Sequence, residues 1–271
     1  MMIWKKMSRQ TIKYGSKGED VRYLQRILNV DVDGIFGKHT EAAVKAFQKA
    51  HGLEVDGIVG KHTWAALEQS TATGIAPDVI YSPLKECITK ASRTIKYLAI
   101  HYTAGTTSKP GTAKSMKAGW EKAKNASADF GVDDRDMVQF NPSPTSYYCW
   151  AVGGTKKPGA TLHGIATNKN TINIEICSSL KSGYDRKTPN HDGWYFTEAA
   201  LDNAVKLAKI VMAKYNIPIE RVIRHYDVTG KLCPGLIGWN NGYIYTKEGK
   251  MTTERNTSEK WLAFKKRLTD G

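Results

Sequence analysis

Apolar residues recur at helical spacing through the first seventy residues of the chain. Positions three and four apart lie on one face of a helix, so each such stripe predicts a helix with one buried side. Gly-rich turns separate the stripes, and the segment is therefore predicted to form a small three-helix domain. The stripes are Val21, Leu24 and Leu28, then Val44 and Phe47, then Trp64 and Leu67.

The same segment contains an internal repeat with an offset of 23 residues. The stretch 32–40 (VDGIFGKHT) matches 55–63 (VDGIVGKHT) at eight of nine positions. The Asp-Gly pair is typical of a turn, and the final threonine is a candidate N-cap for the next helix. A calcium site at Asp31 and Asp33 is an alternative, but it lacks the further oxygen ligands and the distal glutamate of an EF-hand.

From residue 80 onward, short β-branched runs alternate with longer helical stripes. Strands interleaved with helices predict an α/β (α+β) fold, in which a mixed central β-sheet is flanked by helices. The small polar residues before Pro77 predict a linker, so we expect domains at 1–69 and 80–271 joined by residues 70–79. Strands are predicted at 95–100, 128–132, 137–140, 147–152, 171–177 and 221–223, and helices at 112–124, 197–215 (N-cap Thr197) and 258–268.

Composition adds one unusual property, a net charge of +14. Such a field attracts polyanions, whether nucleic acid, anionic lipid or an anionic cell wall, although a basic surface can also serve solubility alone. The chain has neither a nucleic-acid-binding motif nor a long basic run. Met1–Met7 lacks the features of a signal peptide, and no apolar run has the length of a membrane span. We expect synthesis in the cytoplasm, no nucleic-acid partner and no membrane insertion.

Four cysteines are too few for a disulfide scaffold in a chain of 271 residues. Cys177 lies in a predicted apolar strand and is most simply a core residue. Cys87 and Cys149 have no assigned role. Cys233 differs from these three, because it lies in a loop that carries candidate chemistry.

Two histidines at the ends of predicted strands are the candidate partners of this cysteine. His101 and His225 each follow a short β-branched run, and the turn signals at Gly230 and Pro234 allow Cys233 to return towards His225. Imidazole and thiolate are zinc ligands, and a catalytic zinc takes three protein ligands and keeps a fourth position for water. Taken singly, each side chain is an ordinary core residue. Together they predict a Zn²⁺ site.

The segments around these residues carry a resemblance to a known family. The stretches 100–104 (IHYTA) and 224–235 (RHYDVTGKLCPG) resemble the zinc-dependent N-acetylmuramoyl-L-alanine amidases, which include phage-lysozyme-type amidases and peptidoglycan recognition proteins. The likeness covers roughly residues 80–240. The repeat in residues 15–69 resembles a peptidoglycan-binding domain with the hallmark D-G-x-F/V-G-x-x-T.

The resemblance implies roles for four residues. It implies that His101, His225 and Cys233 bind Zn²⁺. It also implies that Lys231, two residues before the cysteine, stabilises the oxyanion that develops on the scissile carbonyl.

Glu175 is the candidate for proton transfer. Alternation along 172–176 puts the isoleucines on one face of the strand and Asn173 with Glu175 on the other. A solvated carboxylate is the simple alternative, but the I-x-I-E-I-C stretch resembles the family segment that carries the catalytic glutamate. Phage-lysozyme-type relatives also have a catalytic tyrosine in a Y-H-F strand, whereas the matching stretch at 128–130 is Ala-Asp-Phe. The proton transfer is therefore assigned to Glu175. His163 either lines the cleft or lies on the surface.

The sequence thus predicts a phage or prophage endolysin that acts on bacterial peptidoglycan. A zinc-activated water is expected to cleave the amide between N-acetylmuramic acid and L-alanine, and the protein is expected to reach the wall after release from the host cytoplasm. One alternative is a non-catalytic peptidoglycan sensor, although such relatives lack the cysteine ligand. Another is a zinc peptidase of the stem peptide, which usually has an acidic ligand and a different histidine spacing.

Overall fold

The computed structural model describes residues 9–28, 30–72, 79–105 and 107–270. The chain divides into two compact units, Met1–Tyr81 and Ser82–Gly271. The predicted features at Met1–Met7 and at residues 73–78 of the expected linker lie outside the described residues. Across the described ranges, none of the helices combines the length and the apolar character that crossing a bilayer requires.

The smaller unit contains the three helices that the sequence predicts. They are α1 (Glu19–Leu28), α2 (Lys38–Ala50) and α3 (Lys61–Ala72). Their apolar stripes meet in one core, because each stripe supplies side chains that are withdrawn from water. The buried members include Val21, Leu24, Phe36, Val44, Phe47, Val59, Trp64 and Leu67.

The internal repeat forms two equivalent turns, each held by a buried glutamine. Gln25 Nε2 donates to Asp33 Oδ1 over 2.6 Å and to Thr40 Oγ1 over 3.1 Å. Gln25 Oε1 accepts a hydrogen bond of 2.8 Å from the backbone N–H of Gly34, whose positive φ of 77° suits glycine. The second glutamine repeats this pattern with its own partners, which are Asp56, Gly57 and Thr63 around Gln48.

Thr40, the threonine of the first repeat, was expected to be the N-cap of α2, and it is not. The N-cap of α2 is Gly37, which makes no side-chain cap bond. Thr40 lies two residues inside the helix and accepts a hydrogen bond from the buried glutamine instead. The carboxylate of Asp33 also accepts a hydrogen bond of 2.8 Å from the backbone N–H of Ile35, as expected for a turn residue.

The rest of the chain alternates strands and helices. The strands are β1 (Val79–Tyr81), β2 (Ile88–Lys90), β3 (Tyr97–Tyr102), β4 (Phe130–Val132), β5 (Met137–Gln139), β6 (Tyr147–Cys149), β7 (Thr171–Ile176), β8 (Ser179–Leu180), β9 (Trp194–Tyr195), β10 (Val222–Arg224), β11 (Tyr243–Tyr245) and β12 (Met251–Arg255). The helices are α4 (Thr112–Ala123), α5 (Glu198–Tyr215), α6 (His225–Thr229) and α7 (Glu259–Thr269), with a 3₁₀ turn at Ile219–Arg221.

A six-stranded sheet in the order β1-β5-β4-β7-β3-β10 forms the centre. Strands β4, β7, β3 and β10 are mutually parallel, whereas β5 pairs antiparallel with β4. Helices α4 and α5 contact this sheet. A mixed sheet flanked by helices confirms the predicted fold class. Five of the six residues of β7 are buried, which is typical of a parallel strand covered on both faces.

Local differences from the sequence prediction occur where tertiary contacts decide the structure. The strand predicted at 147–152 ends at Cys149, because β6 pairs with β2 in a separate two-stranded sheet. The segment after His225 is a short helix rather than a loop, and it ends at Gly230 with φ 74°. The hairpin of β11 and β12 was not predicted. The N-cap at Thr197 is confirmed, since its Oγ1 accepts a hydrogen bond from the backbone N–H of Ala200.

Candidate active site

Three neighbouring parallel strands bring the predicted site residues to one edge of the sheet. His101 lies near the end of β3 and is the direct partner of Glu175 on β7. His225 follows the last residue of β10, the strand on the other side of β3. Since the carboxyl ends of parallel strands meet at one edge, residues distant in sequence converge there.

Cys233 reaches this edge through the turn after α6. The backbone N–H of Tyr226 donates to the carbonyl of Cys233 over 3.0 Å, and the N–H of Cys233 donates to the carbonyl of Lys231 over 2.7 Å. Asp227 holds the start of α6, since its carboxylate accepts hydrogen bonds from the backbone and side chain of Arg224. The segment from Arg224 to Cys233 is therefore held by hydrogen bonds at both of its ends.

The side chains of His101, His225 and Cys233 form a tight buried cluster. One potential ligand atom from each lies within 4.8 Å of the other two. His101 Nδ1 is 3.7 Å from Cys233 Sγ, and the two imidazole centroids are 4.9 Å apart. The three residues are 2%, 5% and 3% exposed, respectively.

The outer contacts of these side chains leave one donor atom of each facing inward. His101 Nε2 is hydrogen-bonded to Asn173 Oδ1 at 3.1 Å, so its Nδ1 faces the cluster. A hydrogen bond to the backbone of Gly153 raises the pKa of His225. His225 Nε2 is buried and has no hydrogen-bond partner among the residues that the structure describes. The backbone N–H of Tyr102 donates to the Cys233 thiol. An unpartnered buried nitrogen requires an explanation, and a bound metal ion supplies one.

The electrostatics of the cluster also suit a metal ion. Burial lowers the pKa of His101 well below its usual value, and burial together with the charge of Lys231 lowers the pKa of His225 to about 4. Both imidazoles are therefore neutral at neutral pH, as a ligand must be. Burial and then Glu175 raise the pKa of Cys233 to about 12, so its thiolate needs a nearby positive charge. Two imidazoles and a thiol are a donor set that fits Zn²⁺.

The carboxyl group of Glu175 lies beside the cluster of His101, His225 and Cys233. Its Oε1 is 3.9 Å from His101 Nδ1, and its buried Oε2 has no hydrogen-bond partner within the described part of the chain. Burial raises its pKa to about 8, although the charge of Lys231 opposes this shift. A carboxyl group that titrates near neutral pH is suited to exchanging protons.

Lys231 is exposed and lies close enough to affect the whole cluster. Its charge lowers the pKa of both histidines, Glu175 and Cys233. Its backbone N–H donates to Thr229 Oγ1 over 3.3 Å, which fixes the chain but leaves the long side chain at the surface.

The remaining sequence candidates are not among the three clustered ligand candidates. His163 is exposed, and its Nε2 lies 3.3 Å from the carbonyl oxygen of Gly154. Cys87, Cys149 and Cys177 are buried free thiols. Ala128, at the position that would match the family tyrosine, is fully buried.

The residues that contact the ligand candidates from outside were not predicted as part of the site. Two of these contacts use the backbone of Tyr102 and Gly153, which carries no residue-specific signal. The third, Asn173, shares a strand face with Glu175, and that alternation was its only signal.

Comparison with known proteins matches both parts of the chain. Residues 91–236 match the N-acetylmuramoyl-L-alanine amidase family, and residues 17–67 match a peptidoglycan binding domain. The chain is 29% identical over 178 residues to N-acetylmuramoyl-L-alanine amidase CwlA of Bacillus subtilis (strain 168), covering 63% of this chain and 57% of that protein. It is 32% identical over 148 residues to amidase CwlH of the same strain, covering 54% of this chain and 50% of that protein.

Among solved structures, a mutant endolysin from Bacillus subtilis is similar, with 24% identity and a TM-score of 0.45. The match covers 70% of this chain and 97% of that one. The chain spans about half the length of the two curated relatives, at 57% and 50%.

Proposed function

Because this chain belongs to the N-acetylmuramoyl-L-alanine amidase family, whose match covers residues 91–236, we propose that it hydrolyses the amide between N-acetylmuramic acid and L-alanine in bacterial peptidoglycan. The observation that carries the proposal is the buried convergence of His101, His225 and Cys233 beside the carboxyl group of Glu175. Hydrolysis of an unactivated amide needs an electrophile for the carbonyl oxygen and a group that moves protons. A metal ion held by these three side chains would supply the first, and Glu175 would supply the second.

His101, His225 and Cys233 would hold Zn²⁺ through Nδ1, Nε2 and Sγ, respectively. When bound, this ion supplies Lewis acidity, which polarises a carbonyl group and makes water a nucleophile at neutral pH. The two histidines take part as neutral ligands, since their lowered pKa values keep them deprotonated.

Glu175 is proposed to accept a proton from the attacking water and to pass it to the departing nitrogen of L-alanine. The C–N bond then breaks to give a free amine and a carboxylate on the lactyl group. The pKa of Glu175 would fall when a cation occupies the cluster, because an opposite charge favours the carboxylate. Lys231 would place its ammonium group near the carbonyl oxygen, where negative charge develops.

The smaller unit is proposed to bind the same polymer. On this proposal residues 1–69 form the peptidoglycan-binding domain and 80–271 the catalytic domain. The linker expected at 70–79 is shorter than predicted, because α3 continues to Ala72 and β1 begins at Val79. Tethering two modules that engage one polymer raises the local concentration of the second near its substrate. The net charge of +14 favours approach to anionic wall polymers.

We further propose that the protein is a phage or prophage endolysin, made in the host cytoplasm and acting on the wall after release, without a nucleic-acid partner and without membrane insertion.

The experiment that tests the activity is mass spectrometry of purified cell wall after digestion. The expected products are intact glycan strands and stem peptides with a free N-terminal L-alanine. New ends inside the stem peptide would instead identify a peptidase.

A further inference from the structure

We propose that Asn173 is a positioning residue that holds His101 in its Nε2–H tautomer, and that Asp129 and Arg93 fix Asn173 in turn. The inference rests on the proposed function, since it concerns how His101 presents Nδ1 to the cluster. It deepens that function by adding a line of buried polar residues outside the ligand set.

The contact between Asn173 and His101 defines the tautomer. His101 Nε2 lies 3.1 Å from Asn173 Oδ1. On its other side, Asn173 Nδ2 donates to Asp129 Oδ2 over 3.0 Å and to the carbonyl of Thr171 over 3.2 Å. Both of these oxygens are acceptors, so only the amide nitrogen can face them, and the amide oxygen must face His101. An acceptor opposite Nε2 requires the proton on Nε2 and leaves the lone pair on Nδ1.

Asp129 is itself fixed by an ion pair that is almost fully buried. Its Oδ1 lies 2.9 Å from Arg93 Nη2, and the two side chains are 0% and 1% exposed, respectively. Its Oδ2 also accepts a hydrogen bond of 2.9 Å from the backbone N–H of Asn173. Asn173 is therefore held to Asp129 by main chain and side chain together, and the amide has no room to rotate independently.

Arg93 anchors the other end of this line. Its guanidinium also donates to the carbonyls of Asn168 over 2.7 Å and Thr171 over 2.9 Å, and to that of Pro144. A buried ion pair with such complete hydrogen bonding is rigid, and removing one partner leaves an uncompensated charge. The chain of hydrogen bonds from Arg93 through Asp129 and Asn173 to His101 therefore begins at a buried ion pair.

Hydrogen bonding of the second imidazole nitrogen is a recognised way to orient a metal-binding histidine, and its loss typically costs 10- to 100-fold in metal affinity. A carboxylate commonly plays this part directly. Here an amide stands between the carboxylate and the imidazole, and it transmits the orientation while keeping the negative charge of Asp129 one residue away from the cluster.

The test compares Asn173→Leu with Asn141→Ala in the full-length protein. Leu has the same branched shape and the same number of side-chain heavy atoms as Asn, but it is bulkier and has no acceptor for His101. Asn141 is the matched control, because it is equally buried and its Nδ2 donates to the other oxygen of the same carboxylate, Asp129 Oδ1, over 2.6 Å. Zn²⁺ affinity is measured by competition with a chromogenic chelator. The imidazole tautomer of the metal-free protein is measured by long-range ¹H–¹⁵N NMR at a pH where both histidines are neutral.

Asn173→Leu is expected to weaken Zn²⁺ binding about 10- to 100-fold and to populate the Nδ1–H tautomer of His101, whereas Asn141→Ala leaves both within about threefold of the wild type. Unchanged affinity and tautomer in a folded Asn173→Leu protein would overturn the inference. An equal loss in the control would overturn it too, because it would indicate a general effect of core damage.

The wild-type spectrum decides the matter if Asn173→Leu does not fold. A dominant Nε2–H signal for His101 supports the inference, and a dominant Nδ1–H signal contradicts it. Failure of the proposed function is distinguishable, since it would appear as a wild-type protein that binds no Zn²⁺, whatever the tautomer.

Discussion

His101 and Glu175 are direct partners on adjacent parallel strands, and His101 Nδ1 lies 3.9 Å from Glu175 Oε1. The candidate metal ligand and the candidate proton carrier therefore share one hydrogen-bonded ladder. Sites built on strands are held more firmly than sites built on loops. A shift of either strand would move both groups, so their spacing is a property of the sheet.

Replacing the thiol should separate catalysis from wall binding. Cys233→Ser is expected to reduce zinc content and to abolish lysis in a turbidity assay, because the donor set loses its thiolate. Binding to isolated walls should be retained, since it is assigned to residues 1–69. Cys87→Ala is the matched control, because Cys87 is similarly buried, at 4% against 3% exposed, and is not among the clustered ligand candidates. Full lysis by a zinc-free Cys233→Ser protein would refute the metal assignment.

Removing the carboxyl group should affect turnover more than metal binding. Glu175→Gln keeps the shape of the side chain but cannot accept a proton, so kcat is expected to fall about 100- to 10,000-fold. Zinc content measured by atomic absorption should stay at the wild-type level, because Glu175 lies outside the proposed ligand set. A variant that loses its zinc would instead place Glu175 among the ligands.

Removing the charge of Lys231 should weaken stabilisation of the developing oxyanion. Lys231→Met is expected to lower kcat about 100- to 1,000-fold with a small effect on KM. Lys231→Arg, which retains the charge on a different head group, should recover part of the loss. The check is steady-state kinetics on a soluble muropeptide. A change confined to KM would show that Lys231 binds substrate in the ground state.

Stability of the metal-free protein should depend on the protonation of Glu175. Its folded pKa of about 8 lies above the ordinary value of 4.5, so the folded state keeps a proton that the unfolded chain has lost. The resulting stabilisation is complete below the unfolded pKa and is lost as pH rises through the folded pKa.

Urea denaturation in the presence of a chelator, between about pH 7.5 and 8.5, isolates this effect when wild type is compared with Glu175→Gln. The histidine pKa values are lowered from 6.5, so these groups are largely neutral in both states over that window. Wild type should lose stability across it, and Glu175→Gln should lose less. Parallel pH profiles for the two proteins would contradict the assigned pKa.

The two glutamines of the repeat should be equally important to the smaller unit. Gln25→Ala and Gln48→Ala each leave the buried N–H of Gly34 or of Gly57 without its acceptor, at a cost of roughly 1–3 kcal/mol per unsatisfied buried group. Hydrogen exchange in the full-length protein should quicken at the amide of Gly34 in the first variant and of Gly57 in the second, since these N–H groups lose their acceptor. Exchange rates that do not change would mean that other contacts hold the turns.

The fold was accessible from sequence wherever a local pattern and the tertiary environment agreed. The stripe after Thr197 gave a helix with the expected cap, because amphipathic spacing and capping are local signals. The hairpin of β11 and β12 was not accessible, because its exposed and irregular strands lack a hydrophobic alternation. The strand expected to reach residue 152 stops at Cys149, where pairing with β2 ends.

The residues of the candidate site were predictable from the sequence for a different reason. His101 and His225 were predicted at strand ends and Cys233 in the loop that follows His225. The parallel strands bring the two histidines together, and the turn after α6 returns Cys233 to them. Their metal role stays a prediction. The line through Asn173 and Asp129 could not have been predicted, since it depends on which buried polar groups face each other across three strands, and no local pattern encodes that.

The separation of the ligand candidates along the chain has a consequence for durability. His101 and Cys233 are 132 positions apart, so an ion bound by both would be a cross-link that closes most of the larger unit into a loop. Its binding energy would then add to the resistance of this unit to heat and proteolysis, by about 2.7 kcal/mol when free zinc exceeds its dissociation constant a hundredfold. The protein would therefore be most resistant to unfolding and proteolysis with the ion bound, and most easily degraded where the metal is scarce.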